Sequence, residues 1–469
     1  MAAPSLAQDA AVPLLRLPDP FLLAVLRCCD TRSICSAARA HSRLHQAAAA
    51  TLTSVTLETN NIDNQQQQLD SLVDVYLPRY GEHVDSISLG PGQLQQLPTT
   101  LTKLTSLTAR RTDMQLLPGC GFQGVLGAAV TPPLKRLRLN HCILMMDAFS
   151  GEGLTAALAL LPGLQHLSLI DNRNVITEKE IATAGGNVLL KLQQLTYLEL
   201  RGVWQEPADS DYEGDPADAL DPAAVDFFKL QHLVALKRLA DLRLKLPGFP
   251  CSIKASMLSS AQRLTHLQLQ TTDSSEFCFE PGVLAGKTLL QHLQLQCCYM
   301  AGHEAGYAQL LSELSKLQQL TCLILNRCLY VCEDGPSAKA YSALTASSKL
   351  QHLDVRECTF PEGVWQHVFP AGRQLPHMRE LDISEVLGIP LTAADGISLV
   401  SCCPGLQSLN MRGLPCSHWP TAAGGAAGPE QSEHAVPAAS HWLGRGVGGG
   451  AGVGGGNGGC VSADRAAAA

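Results

Sequence analysis

One short apolar pattern, Leu-x-x-Leu-x-Leu, recurs along this chain and restricts what it can fold into. Aligned on its first apolar residue, it begins thirteen times, at Leu52, Val84, Leu104, Leu134, Leu164, Leu195, Leu239, Leu264, Leu290, Leu320, Leu350, Met378 and Leu406. The most regular copies are Leu134-Lys-Arg-Leu137-Arg-Leu139, Leu164-Gln-His-Leu167-Ser-Leu169 and Leu350-Gln-His-Leu353-Asp-Val355. In an extended segment, positions four and six share one side, so both side chains enter a core. A unit this small cannot enclose its own core, so consecutive units must stack.

Most copies lie 25 to 32 residues apart, a spacing that resembles leucine-rich repeats. The resemblance implies an α/β solenoid: an irregular horseshoe with parallel inner strands and mainly helical outer segments. Helical stripes support the outer layer, as in Leu310, Leu311, Leu314 and Leu317 before one strand, and Leu69, Leu72, Val73, Tyr76 and Leu77 before another. Pro162-Gly163 and Pro404-Gly405 mark sharp turns into the strands that follow.

A hydrophobic content of 46% with 16% charged residues is ample for a continuous core among the 469 residues. The net charge of −8 gives no reason to propose nucleic-acid binding. The first ten residues lack the basic and apolar regions of a secretory signal, and no uninterrupted apolar run is long enough for a membrane-spanning helix. Seventeen cysteines, an odd number, several at one repeat position, suggest reduced thiols. The expected compartment is therefore cytoplasmic or nuclear, cytoskeletal and axonemal locations included.

Three regions follow: a helical unit over 13–50, repeats over 51–416, and a Gly/Ala-rich tail over 417–469 with too few large apolar groups to offset the entropy of ordering. The Gly-rich tail has neither the preceding strand nor the Lys-Ser/Thr pair of a phosphate-binding loop. The longest unit carries an acidic excursion, 205–226, expected to leave the solenoid. Asp209, Asp211 and Glu213 mimic the start of a calcium loop, but Leu220 stands where a bidentate Glu is needed and Pro216 interrupts.

Position nine is Asn60, Cys142, Asn172, Cys298, Cys328 and Cys358 in the better copies. A buried Asn or Cys there can satisfy backbone groups where the chain turns, which explains much of the cysteine count without metal chemistry. Cys328 and Cys332, Cys297-Cys298 and Cys402-Cys403 lack a second pair at zinc-module spacing. His166, His292 and His352 recur with the repeat and read as surface residues. No arrangement of nucleophile and base is evident, so neither catalysis nor a cofactor is expected.

Alternation places positions three, five and seven on the inner face, with position eight at its edge. The face then begins basic, with Arg110, Arg111, Arg136, Arg138, Arg201, Arg243 and Lys245 as candidate partner-binding residues. It becomes neutral through His266, Gln268, Gln270, His292, Gln294 and Gln296, and mostly acidic through Asp354, Arg356, Glu357, Glu380, Asp382 and Glu385. Complementary charge would steer an acidic segment of a protein partner onto the basic stretch; ordinary solvated charge is the alternative. The excursion's eight acidic residues make it a rival occupant, an autoinhibitory flap.

Residues 13–50 resemble an F-box. Leu17-Pro18, Leu22-Leu23, Val25-Leu26 and Asp30 match that family's pattern in type, and a second helix is expected from Ser33. Pro20-Phe21 replaces the usual Glu-Leu, and Leu44 stands where the family has its late Trp. The resemblance implies that Leu17, Pro18, Leu22, Leu23, Leu26 and Ile34 dock a Skp-type adaptor of a cullin–RING ubiquitin ligase while the repeats hold a protein substrate. The alternative is a non-enzymatic interaction scaffold, cytoskeletal, axonemal or inhibitor-like, whose first helices only cap the solenoid. A working F-box leaves part of the stripe before Asp30 exposed; a cap buries it.

Overall fold

In a computed structural model of the chain, the described residues are 17–29, 36–37, 40, 42–51, 53–57, 65–116, 125, 133–146, 154–172, 188–202, 230–246, 252–271, 277–300, 303–329, 335–387 and 390–414. Ile34, Asn60, the acidic excursion and the Gly/Ala-rich tail lie outside them. All thirteen copies of the apolar pattern form strands, each starting at position three. In chain order they are β1 (Ser54–Leu57), β2 (Ser86–Leu89), β3 (Ser106–Arg110), β4 (Arg136–Asn140), β5 (His166–Ile170), β6 (Tyr197–Arg201), β7 (Asp241–Leu246), β8 (His266–Thr271), β9 (His292–Gln296), β10 (Cys322–Asn326), β11 (His352–Asp354), β12 (Glu380–Asp382) and β13 (Ser408–Asn410). They make one thirteen-stranded parallel sheet whose spatial order is the sequence order. Position pairs with like position throughout: Leu137 faces Leu167, Leu167 faces Leu198, and Leu323 faces Leu353. The chain is a leucine-rich-repeat solenoid.

The register follows from burial. A slip of one residue would bring Arg136 and Arg138 into the core and put Leu137 and Leu139, both fully buried, into water. One continuous core runs from Val55 to Leu414, and each fully buried Leu contributes roughly 1.5–3 kcal/mol. Coverage weakens at the end of the described residues, where Leu406 and Leu409 are only half-buried.

The outer layer is more varied than the expected helices. Helical segments cover some units, as at Gln65–Tyr80 (with a π turn over Ser71–Tyr76), Leu154–Ala159 and His303–Leu314. Others use 3-10 turns, Leu230–Ala235 and Ala338–Thr345. Two small parallel sheets lie just past the strands, one of Gly92–Leu94, Thr112–Leu116 and Ile143–Met146, the other of Ser252–Ile253, Phe277–Phe279 and Cys298–Met300. The short strands pair in the same parallel manner from unit to unit, as Asp113 with Ile143 and Cys278 with Tyr299.

Position eight is left-handed in nine units: Arg111, His141, Asp171, Gly202, Cys297, Arg327, Glu357, Glu385 and Gly413 all have φ between +48° and +73°. The backbone turns there from the large sheet toward position nine, and the stacked units repeat the turn. Position nine then supplies the bonds that the turn needs. Asn172 Oδ1 accepts from the Cys142 N–H (2.9 Å), and Asn172 Nδ2 donates to the Leu139 carbonyl (3.0 Å). The Cys358 thiol donates to the Leu325 carbonyl (2.7 Å). Burial pushes the Cys358 thiol up to about 12 and raises Cys142 as well, so both stay protonated.

Among the described residues, helices α1 (Asp19–Arg27) and α2 (Ser42–Thr51) stand ahead of the sheet. Proline at the start of α1 and Asp19 in its first turn suit a helix N-terminus. Leu22 and Leu26 close on Leu44, Ala47 and Ala48 in a small core of their own, which Tyr76 of the first outer helix also touches. Arg43 ties the pair together through Asp19 (2.6 Å) and the Leu17 carbonyl (2.8 Å).

Candidate functional site

The sheet has one face on the core and one open face, where positions three, five and seven stand in rows. Across β3 to β7, position three reads Ser106, Arg136, His166, Tyr197 and Asp241. Position five reads Thr108, Arg138, Ser168, Glu199 and Arg243, and position seven reads Arg110, Asn140, Ile170, Arg201 and Lys245. Arg110, Arg136, Arg138, Arg201, Arg243 and Lys245 therefore share this face, and Arg111 stands at its edge.

The candidate cations fall into two groups. Arg201 and Arg243 are held by carboxylates that the sequence reading left out, Glu199 and Asp241. Glu199, 4% exposed, accepts from Ser168 Oγ (2.7 Å), the Tyr197 hydroxyl (2.9 Å) and Arg201 Nε (2.8 Å). Burial alone would raise its pKa, but Ser168, Tyr197 and Arg201 together outweigh that and hold the carboxyl below its ordinary value. Arg243 grips both oxygens of Asp241 (2.9 and 2.8 Å) and lies 5.3 Å from the centre of the Tyr197 ring. His166 stacks on Tyr197, with ring centres 3.9 Å apart. Burial, with the Arg136 charge second, lowers the His166 pKa and keeps its imidazole neutral.

Arg110, Arg111, Arg136 and Arg138 differ. All four are exposed, and none pairs with a carboxylate among the described residues; nor does half-buried Lys245. Glu199 and Asp241 were legible in principle, because the alternation that places Tyr197 and Arg201 on the face also places them there. Their pairing with Arg201 and Arg243 was not, since it depends on side-chain conformation.

The later strands are neutral and then acidic, and the acids are largely engaged. Asp354, 3% exposed, accepts from the Arg356 N–H and from its side chain. Asp382 accepts from the Ser384 N–H (3.0 Å), and Glu380 meets His352 Nδ1 (2.7 Å). Asp354 and Asp382 thus end β11 and β12 after three residues by capping the next turn. Among the described residues no three His, Cys, Asp or Glu side chains converge as a metal site, and no helix is long and apolar enough to cross a membrane.

At the N-terminal pair, Leu22 (0% exposed) and Leu26 (2%) are internal, Leu17 and Leu23 are half-buried, and Pro18 is exposed. The apolar side chains that α1 turns outward are Phe21 (63% exposed) and Val25 (41%). Neither belongs to the docking set that the F-box resemblance implies.

No protein-family model and no curated protein matches the chain. Among solved structures, it is similar to a leucine-rich-repeat protein of Leptospira interrogans at 16% identity, over 80% of this chain and 76% of that one, with a TM-score of 0.47. An internalin of Listeria monocytogenes shares 14% identity over 76% of this chain and 94% of its own, with a TM-score of 0.40. The leucine-rich-repeat ectodomain of an Arabidopsis thaliana receptor kinase shares 15% identity over 71% of this chain, with a TM-score of 0.41, and the present chain spans 35% of its length.

Proposed function

We propose that this chain is a non-catalytic recognition protein of the cytoplasm or nucleus, which holds a protein partner against the open face of its sheet. The observation that carries this reading is the contrast among its arginines. Arg201, Arg243, Arg327 and Arg356 each have a carboxylate, whereas Arg110, Arg111, Arg136 and Arg138 are grouped on β3 and β4 and at their edge without one among the described residues. Unpaired cations on a rigid sheet speed and orient the arrival of a complementary surface. The test is affinity capture with the full chain and with an Arg136→Glu/Arg138→Glu variant. Loss of the captured partner from a variant with an unchanged melt supports the reading; equal capture overturns it.

A finer reading makes the chain a substrate adaptor of a cullin–RING ubiquitin ligase. It is favoured by the F-box-like pattern together with Phe21 and Val25, which leave an apolar face of α1 outward while Leu22 and Leu26 close the helix pair. Such an adaptor does no chemistry; it holds a substrate Lys near a charged conjugating enzyme and gains rate through effective concentration. A Phe21→Asp/Val25→Asp variant should lose a co-purifying Skp-type protein and cullin while its solenoid melts as before. If the intact chain captures neither protein, the adaptor role falls and the scaffold reading stands.

A further inference from the structure

The chemistry of the partner can be read from nine neighbouring positions on the open face. Parallel register sets Ser106, Arg136 and His166 side by side, then Thr108, Arg138 and Ser168, then Arg110, Asn140 and Ile170. Neighbours across strands are ~4.8 Å apart, and neighbours along a strand on one face are ~6.6 Å apart. Three guanidiniums therefore stand within reach of one small anionic group, and Arg111 borders them. None of the nine positions is acidic.

A single carboxylate would leave most of this charge unmatched. A phosphate monoester carries roughly −1.5 to −2 charge and three strong acceptor oxygens, which suits paired guanidinium forks. The hydroxyls of Ser106 and Thr108, beside Arg136 and Arg138, add donors. Asn140, at the end of β4, adds a polar side chain beside Arg110. Single-stranded nucleic acid needs open aromatic faces for its bases. The Tyr197 ring is already occupied by His166 and approached by Arg243.

We infer that Arg110, Arg136 and Arg138 receive a phosphoserine or phosphothreonine of the protein partner. This inference rests on the open face being the partner surface. The test uses fluorescence anisotropy on the full chain, with degenerate peptide libraries centred on phosphoserine, serine or glutamate, and with a single-stranded RNA. The phosphoserine library should bind about ten-fold or more tighter than the serine library. Arg136→Glu/Arg138→Glu should abolish that preference without moving the melt, and Lys316→Glu in the outer layer should leave it unchanged. Equal binding of the libraries, or stronger binding of the RNA, overturns the inference. A partner captured from lysate separates it from the broader reading. Capture that survives phosphatase treatment but is lost from a Gln268→Trp/Gln294→Trp variant keeps the open face and removes the phosphate. Capture unaffected by any variant on this face removes both.

Discussion

Replacing Glu199 with Ala removes the acceptor at the centre of the open face and leaves three donors behind. Ser168 is fully buried, so its hydroxyl loses its side-chain partner with little access to water. The Arg201 side chain is 30% exposed and recovers part of its loss by hydration. A hydrogen bond to a charged group is worth about 1.5–3 kcal/mol, and removing one partner of a buried ion pair costs about 3–5 kcal/mol. Discounting for Arg201, we expect a loss of about 3–4 kcal/mol. Because units of a solenoid touch only their neighbours, the damage should centre on β5, β6 and β7. Urea denaturation gives the total, and amide exchange locates it: faster exchange in β5–β7, with little change in β10–β13. The pH dependence supplies an internal check. The folded Glu199 pKa lies below its unfolded value of about 4.3, so its contribution is present above that pH and is lost as pH falls through the folded pKa. The wild-type chain should therefore lose part of its advantage over the variant below about pH 4. A loss under about 1 kcal/mol, or one spread evenly over the sheet, would refute the reasoning.

Leu167→Asp or Leu353→Asp, each placing a carboxylate at a position at most 1% exposed, should cost several kcal/mol by chemical denaturation; a near-neutral result would contradict the core assignment. The His166 and His292 pKa values are both lowered, chiefly by burial, with Arg136 and His266 next respectively. Below about pH 6.5 the unfolded chain binds these protons first. Stability should therefore decline as pH falls from there toward the folded values, and His166→Asn/His292→Asn should flatten the decline in a melt series. A Cβ at Gly202 would clash with Asp171 Oδ1, although seven other units among the described residues place a non-glycine residue at this left-handed position. Gly202→Ala should thus destabilise by about 1–2 kcal/mol from the left-handed backbone alone, with the Asp171 clash adding to it, and Asp171→Ala should return only the added part; full rescue would show that the backbone carries none of the cost.

The strands were legible because the pattern that defines them is also what buries them. Leu137, Leu167 and Leu353 sit in phase with the sheet, so every strand begins at position three. The outer layer was less legible. Tyr341, Ala343 and Leu344 are buried from a 3-10 turn, a geometry that an apolar count does not distinguish from an α-helix. The left-handed turn at position eight was hidden because Arg111, His141, Asp171 and Cys297 share no propensity for it; stacking imposes it. On the open face, alternation assigns the arginines to rows but cannot divide them into those held by Glu199 and Asp241 and those with no carboxylate among the described residues. At the N-terminus, the stripe before Asp30 was visible as apolar. Which of its members face inward is set by contact with Leu44, Ala47 and Ala48, and this turns Phe21 and Val25 outward.

Occupation of the open face by a partner can be read from amine footprinting of the chain alone and in complex with a partner it captures. Lys245 stands at position seven of β7, whereas Lys103 precedes β3 and Lys316 follows the outer helix His303–Leu314. Binding should protect Lys245 and leave Lys103 and Lys316 as reactive as before. Protection of Lys103 and Lys316 with Lys245 unchanged would contradict occupation of that face.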